Sequence, residues 1–306
     1  MTNLPTLRQL RYLCALADHL HFGKAADACA VSQSTLSAGI QELEAGLGAT
    51  LVERTKRQVM LTPLGREVVT GSRRLLRESE DLVALARSAA APLSGELYLG
   101  VIPTIGPYLL PRALPLLQTR YPKLRLYLRE EQSAALLEGL AQGRLDLVLL
   151  ALPYDIGDLE TMSVGRDELV LVCPANHALA GLREVTTAAL AGTEMLMLEE
   201  GHCLREHALR ACGRAAWRGR EVFQGTSLKT LVTMVASGLG VTLLPGMAVS
   251  SEVDKKTGLV TMPIAKTNAA RQIALAWRRS SPRVREFRLF GETFREAGKD
   301  ILRDRA

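Results

Sequence analysis

The sequence predicts an α/β protein in three parts: a helical head with a small two-stranded wing, one long helix, and a doubly wound region of alternating strands and helices. Three observations carry this reading. Residues 1–91 repeat apolar side chains at helical spacing almost throughout, a boundary falls at Pro92 to Gly95, and beyond it short apolar runs alternate with helical patterns. At 306 residues the chain has room for two or three domains. With 47% hydrophobic and 23% charged residues it can bury real cores, which excludes a disordered tail or a collagen. Leu147 to Pro153 is its longest apolar stretch, well short of the roughly 18 residues of a spanning helix. Charges throughout residues 1–22 argue against a signal peptide, so no membrane and a cytoplasmic location are expected. Five cysteines are too few and too odd in number for an extracellular disulfide framework.

In the head, Leu7, Leu10, Leu13, Leu16 and Ala17 form one apolar stripe, predicting a first helix that ends near His21 to Gly23. A short second helix follows over Lys24 to Cys29. Ser32 is a good N-cap for a third, whose stripe is Leu36, Ile40, Leu43 and Leu47 and which Gly46 and Gly48 stop. Residues 51–55 and 58–61 read as two short strands around a basic turn, a wing. Thr62-Pro63 is a strong helix start, since threonine caps free backbone donors and proline fits the first helical position. The helix it opens runs to about Ala91, with Leu64, Val68, Leu75, Leu82 and Leu85 as an apolar seam suited to a partner helix.

Past the boundary, strands are predicted at Leu97–Ile102, Arg125–Glu130, Leu145–Leu150, Glu168–Cys173, Met195–Leu198, Val241–Leu244 and Ile273–Trp277. Helices are predicted at Leu110–Tyr121, Ala134–Gln142, Leu228–Ser237 and Val284–Ala297. The alternation implies a mainly parallel sheet covered by helices, large enough for two lobes, with ligands outside the C-terminal strand ends.

Two helices, a tight turn and a third helix opened by Ser32 make a helix-turn-helix arrangement. Ser32, Gln33, Ser34, Thr35, Ser37 and Gln41 place hydrogen-bonding groups where base edges would lie, while Arg54, Lys56 and Arg57 on the wing, and Thr62 and Arg66 at the long helix, are placed to meet the DNA backbone. Charge does not locate this site: the net charge is +6, but residues 1–93 hold only 11 Lys and Arg against 9 Asp and Glu. The segments Ala25-Ala26-Asp27, Val31 to Ser37, Ile40 to Glu44, Gly48, Leu51 to Arg54 and Leu61 to Gly65 resemble the N-terminal signature of the LysR-type transcriptional regulators. Gly238 to Pro245 is similar to a late strand motif of the same family. The resemblance implies a winged helix-turn-helix over 1–61, a linker and dimerisation helix over 62–92, and a periplasmic-binding-protein-like regulatory domain over 93–306. That domain's first lobe would take about 93–164 and 268–306, and its second about 165–267. It also implies a double-stranded DNA operator, RNA polymerase and a homotetramer built as a dimer of dimers as partners.

Cys203 and Cys212 are a second feature. Gly201 ends a predicted strand, and Leu204, Ala208 and Ala211 recur at helical spacing, so Cys203 falls at a helix N-terminus. There the helix dipole favours a thiolate, and Arg205 and His202 can add charge or hydrogen bonds. Nine residues of ideal helix separate the two Cα atoms by about 13.5 Å, on opposite faces. A disulfide tolerates about 7 Å, so oxidation to each other requires the helix to break. Two small buried cysteines without redox chemistry are the alternative.

Gly201-His202-Cys203-Leu204-Arg205 with Cys212, together with residues 100–111 and 124–130, is similar to the hydrogen peroxide-sensing members of the LysR-type regulators. This resemblance implies Cys203 as the peroxidatic cysteine and Cys212 as the resolving one, with Thr104 orienting the peroxide and Arg271 helping to hold the reactive segment. Ser133 stands where those members usually have threonine and Glu206 where aspartate is common, which keeps each chemical group and shifts its reach. Cys14, Cys29 and Cys173 read as structural. His19, His21 and His177 show no ligand spacing, His202 with Cys203 and His207 is too local a cluster for a zinc site, and neither a metal, a cofactor nor an enzymatic activity is expected. Two rivals are a LysR-type regulator that binds a small organic effector in its lobe cleft, and a thiol peroxidase, to which a DNA-reading head would be useless.

Overall fold

The computed structural model describes residues 4–54, 59–88, 92–190, 192–212, 224–254, 257–265 and 269–303. It divides into two compact units, residues 1–90 with 141–144, and residues 91–140 with 145–306.

The first unit begins with α1 (Leu7–His19), opened by a capping box in which Thr6 and Gln9 satisfy each other's free N–H groups. The predicted end of α1 near His21 is corrected. Leu20 turns left-handed at φ 47°, and His21 becomes the N-cap of α2 (Phe22–Ala28), its Nδ1 accepting from the Lys24 N–H. Then α3 (Gln33–Leu47) starts at Ser32 and stops at left-handed Gly48. Leu10, Leu13, Leu16, Ala25, Leu36, Ile40, Leu43 and Leu51 are the buried stripes meeting in one core. The wing is β1 (Val52–Arg54) antiparallel to β2 (Val59–Leu61). Glu44 of α3 fastens it, one carboxylate oxygen accepting from the N–H groups of Leu51 at 2.8 Å and Val52 at 3.0 Å. Finally α4 (Pro63–Ser88) packs against α1, with an Arg73–Asp18 ion pair. Val68 of the predicted seam packs on this core, whereas Leu64, Leu75 and Leu82 are exposed, as is Val83.

In the second unit the chain order is β3 (Gly95–Val101), α5 (Gly106–Arg120), β4 (Leu124–Glu130), α6 (Ser133–Ala141), β5 (Leu147–Leu152), β6 (Leu159–Pro174), β7 (Met195–Leu198), α7 (Cys203–Cys212), β8 (Gln224–Gly225), α8 (Leu228–Ala236), β9 (Val241–Pro245), α9 (Gly246–Glu252), β10 (Leu259–Pro263), β11 (Ala270–Arg278) and α10 (Val284–Gly298). Its sheet runs β4-β3-β5-β11-β6-β9-β7-β8, with β10 also on β6. The mainly parallel sheet expected from the alternation is in fact mixed. Among the described strands β3 pairs parallel with β4 and β5, and β7 with β8 and β9, but every pair involving β6 or β11 is antiparallel. The reason is β6, a 16-residue strand whose first part pairs with β11 and whose second part pairs with β9 and β10, so two parallel halves are joined through long antiparallel crossings. Strand β5 is buried on both faces, which is why residues 147–151 read as an unbroken apolar run. Trp277 of β11 and Phe287, Phe290 and Phe294 of α10 are fully buried beside it.

Candidate functional site

The helix-turn-helix presents its third helix as the sequence implies. Ser32, Gln33, Ser34, Thr35 and Gln41 are exposed and Ser37 is half-buried. The hydroxyls are not all at leisure: Ser32 Oγ accepts from the Thr35 N–H at 3.2 Å and shares hydrogen bonds with Ser34 Oγ and Thr35 Oγ1. Thr62 is similarly occupied, capping α4 by accepting from the Gly65 N–H at 2.9 Å and donating to Thr50 O at 3.0 Å. Arg66 is exposed and donates to Leu61 O. Arg54 ends β1, and Lys56 and Arg57 lie outside the described residues.

The second constellation surrounds α7. From the end of β7 the chain turns through Gly201 at φ +95°, where a Cβ would lie 2.2 Å from Gln132 Oε1. The left-handed backbone favours glycine, and a side chain there would also displace the Gln132 amide. Gln132 in turn donates to Glu199 at 3.3 Å, tying this turn to the start of α6. Helix α7 runs unbroken from Cys203 to Cys212, as predicted, with Glu206 in its first turn and Arg210 in its last, both suited to the helix dipole. The two thiols are free and buried, at 3% and 5% exposure. Burial pushes the Cys212 thiol up to about 11, keeping it protonated while it stays packed.

Arg205 folds back to donate to Leu198 O at 3.3 Å. His202 is buried beside Glu199, and burial lowers its imidazole below the usual value, so near neutral pH it offers hydrogen bonds rather than the positive charge considered from the sequence. Tyr154 joins the site unforeseen: its phenol is raised by burial and by the nearby Cys203, Asp155 and Glu206. His207, one turn beyond Cys203, is buried and lowered to about 4 by burial and by the Arg271 charge; its Nε2 lies 3.0 Å from Pro153 O.

Arg271 is fully buried. Its Nε donates to Asp167 Oδ2 at 2.9 Å, Nη1 to Thr104 Oγ1 at 2.7 Å, and Nη2 to Thr104 O at 2.8 Å. Asp167 Oδ1 accepts from the Met247 N–H at 3.1 Å. The sequence resemblance has Arg271 help to hold the reactive segment, and its hydrogen bonds add a second task. It fixes Thr104 directly and reaches α7 through its charge on His207, because a buried guanidinium spends its donors on the nearest buried acceptors. Thr104 Oγ1, accepting from Arg271, keeps its own hydrogen to donate. Ser133 at the start of α6 is 1% exposed, and its Oγ has no hydrogen-bond partner among the described residues. A buried hydroxyl left unpaired marks a place where a polar ligand would be satisfied.

A winged helix-turn-helix joined by one long helix to a doubly wound domain with a buried thiol pair defines the class: a DNA-binding transcription regulator with a separate sensing domain. Residues 7–66 match the bacterial regulatory helix-turn-helix proteins of the lysR family, and residues 90–299 match the LysR substrate binding domain. The chain belongs to the LysR family of transcriptional regulators. It is 43% identical to a probable hydrogen peroxide-inducible genes activator of Streptomyces viridosporus, over 97% of this chain and 96% of that protein. It is 42% identical to the HTH-type transcriptional regulator EstR of Acinetobacter baylyi (94% and 95% covered) and 43% identical to the dual regulator OxyR of Escherichia coli K12 (94% of each). Among solved structures it is similar to a full-length OxyR cysteine variant of Pseudomonas aeruginosa, with TM-score 0.80, 35% identity and 95% and 98% coverage. A hydrogen peroxide-bound cysteine variant of Corynebacterium glutamicum OxyR matches with TM-score 0.68, 32% identity and 98% and 95% coverage.

Proposed function

We infer that this regulator senses hydrogen peroxide through Cys203 and Cys212 and controls oxidative-stress genes, acting in the cytoplasm and not as an enzyme. The observation that carries the reading is the placement of two free, buried cysteines at the two ends of α7. In the first step the Cys203 thiolate attacks one peroxide oxygen; the O–O bond breaks, Cys203 becomes a sulfenic acid and hydroxide leaves. Thr104, held by Arg271, and the unpaired Ser133 hydroxyl supply hydrogen bonds to the peroxide, while His202, Arg205 and Glu206 shape the start of α7. In the second step Cys212 attacks the sulfenic sulfur, releasing water and closing the disulfide. Because α7 holds the Cα atoms about 13.5 Å apart, closure unwinds it. The regulatory domain, residues 93–306 in this reading, then changes shape and re-spaces the paired heads, whose half-sites must lie about one DNA turn or a multiple apart. Ser32, Gln33, Ser34, Thr35, Ser37 and Gln41 face the bases of the operator, and Arg54, Lys56, Arg57 and Thr62 its backbone. A dimer of dimers engaging RNA polymerase is the assembly this reading requires.

Thiol mapping by mass spectrometry before and after stoichiometric peroxide tests it. Wild-type protein is expected to gain a Cys203–Cys212 disulfide, and Cys203→Ser to gain none and to lose the redox response with its fold intact. Peroxide-induced disulfide formation persisting in that variant, or a thermal shift with an organic metabolite and none with peroxide, would overturn the assignment.

A further inference from the structure

Between its two cysteines α7 carries two side chains that reach the same backbone oxygen. His207 Nε2 lies 3.0 Å from the carbonyl oxygen of Pro153, and Arg210 donates to that oxygen from Nη1 at 3.1 Å. Pro153 lies just past the end of β5, so the pair fastens α7 to the connection between β5 and β6. Residues three apart share a helix face, which is why both side chains converge on one acceptor. His207 is uncharged near neutral pH, its imidazole lowered to about 4 by burial and by Arg271 and Arg210. A carbonyl only accepts, so the single ring hydrogen sits on Nε2 and His207 is the donor.

We propose that His207 and Arg210, by gripping the Pro153 carbonyl, are positioning residues that hold α7 wound in the dithiol form and thereby set how readily the Cys203–Cys212 disulfide closes. This rests on the peroxide-sensing reading and adds to it what opposes the switch. Both hydrogen bonds need the helical register between Cys203 and Cys212. An intact helix keeps the two Cα atoms about 13.5 Å apart, while a disulfide allows about 7 Å. The grip therefore belongs to the dithiol form and is lost on closure. Formation of the sulfenic acid at Cys203 breaks neither bond. In the closing step the Cys212 sulfur attacks the Cys203 sulfur, an S–S bond forms, the S–O bond breaks, and hydroxide leaves with the Cys212 proton as water. The two steps respond differently to loss of the grip, and this separates a positioning role from general support of the fold.

The test uses the full-length protein as wild type, His207→Phe, Arg210→Leu, the double variant and His207→Gln. Rapid quenching with mass spectrometry gives the rates of sulfenic acid formation and disulfide closure, and glutathione redox buffers give the reduction potential of the thiol pair. The potential of His207→Phe and of Arg210→Leu is expected to move toward the disulfide by roughly three- to tenfold in the equilibrium constant, the range of one hydrogen bond. Tenfold corresponds to about 30 mV. Closure quickens, while in Arg210→Leu the sulfenic acid rate stays within about twofold, because Arg210 lies seven residues from Cys203 along α7. His207→Gln, whose amide N–H can donate to the same carbonyl, stays near wild type. Arg210 is exposed, so its variant keeps the fold even if His207→Phe does not. Equal potentials in wild type and Arg210→Leu, or in wild type and the double variant, overturn the inference. A wild-type protein that forms no disulfide with peroxide overturns the underlying reading instead, a result distinct from equal potentials.

Discussion

His207 shows how one side chain couples the sensing site to stability. In an unfolded chain its imidazole would titrate near the ordinary value of 6.5, whereas in the fold it is held at about 4. Below pH 6.5 the unfolded state therefore binds a proton that the folded state does not, and stability falls as pH drops from 6.5 through about 4. A shift of that size contributes on the order of 3 kcal/mol, present above the window and lost below it. Urea midpoints of wild type and His207→Gln, followed from pH 7 to pH 4, are expected to show a steeper acid loss in wild type, and parallel curves would refute it. Cys203 and Cys212 were legible because a glycine-ended strand and helical spacing place them from sequence alone. Asp167 was not: it sits in the charged triplet Arg166-Asp167-Glu168, and only the Arg271 guanidinium from β11 turns that middle residue into a buried anchor. The Pro153 carbonyl carries no side-chain signal at all.

At the scale of elements, the capping chemistry was the most transferable. Ser32 opens α3 with its Oγ on the Thr35 N–H, and that hydroxyl also touches Ser34 and Thr35 on the surface proposed to read DNA. Ser32→Ala is expected to cost about 1 kcal/mol of stability and to weaken operator binding further by loosening its neighbours. Denaturation and fluorescence-anisotropy titrations check the two effects, and unchanged affinity would remove Ser32 from the interface. Helices and strands with strong periodicity, such as β7, α8 and α10, fall within a residue or two of their predicted limits. The first part of β6, the two-residue β8, β10 and the short α9 escaped notice. Residues 159–167 carry Glu160, Arg166 and Asp167 among polar neighbours, and their strand form is decided by pairing with β11 rather than by local pattern.

Across the whole molecule, the apolar residues left uncovered matter most. Leu75 is 48% exposed, Leu82 67% and Val83 50% along α4, a helix that spends its other face on the N-terminal core. A second copy of α4 is the cover that the dimerisation reading requires. Leu82→Glu is expected to shift sedimentation toward monomer and to lower operator affinity at least tenfold, since one head alone loses the second half-site. An unchanged sedimentation coefficient would exclude this seam. The net charge of +6 helped least, because the α3 groups proposed to read bases are neutral and most of the basic excess lies elsewhere in the chain.

Sequence alone determined the order of parts, the Ser32-capped third helix of the head and the placing of two cysteines on one helix, because periodicity, caps and spacing are local properties carried by adjacent residues. Tertiary structure decided that the sheet is mixed, that Arg271 serves Thr104 and Asp167, and that α7 is fastened to Pro153. Each of these depends on groups far apart in the chain: Arg271 meets Thr104 from 167 residues away, and His207 meets Pro153 from 54. Burial then selects the partners, since a buried donor must find an acceptor wherever the fold has placed one.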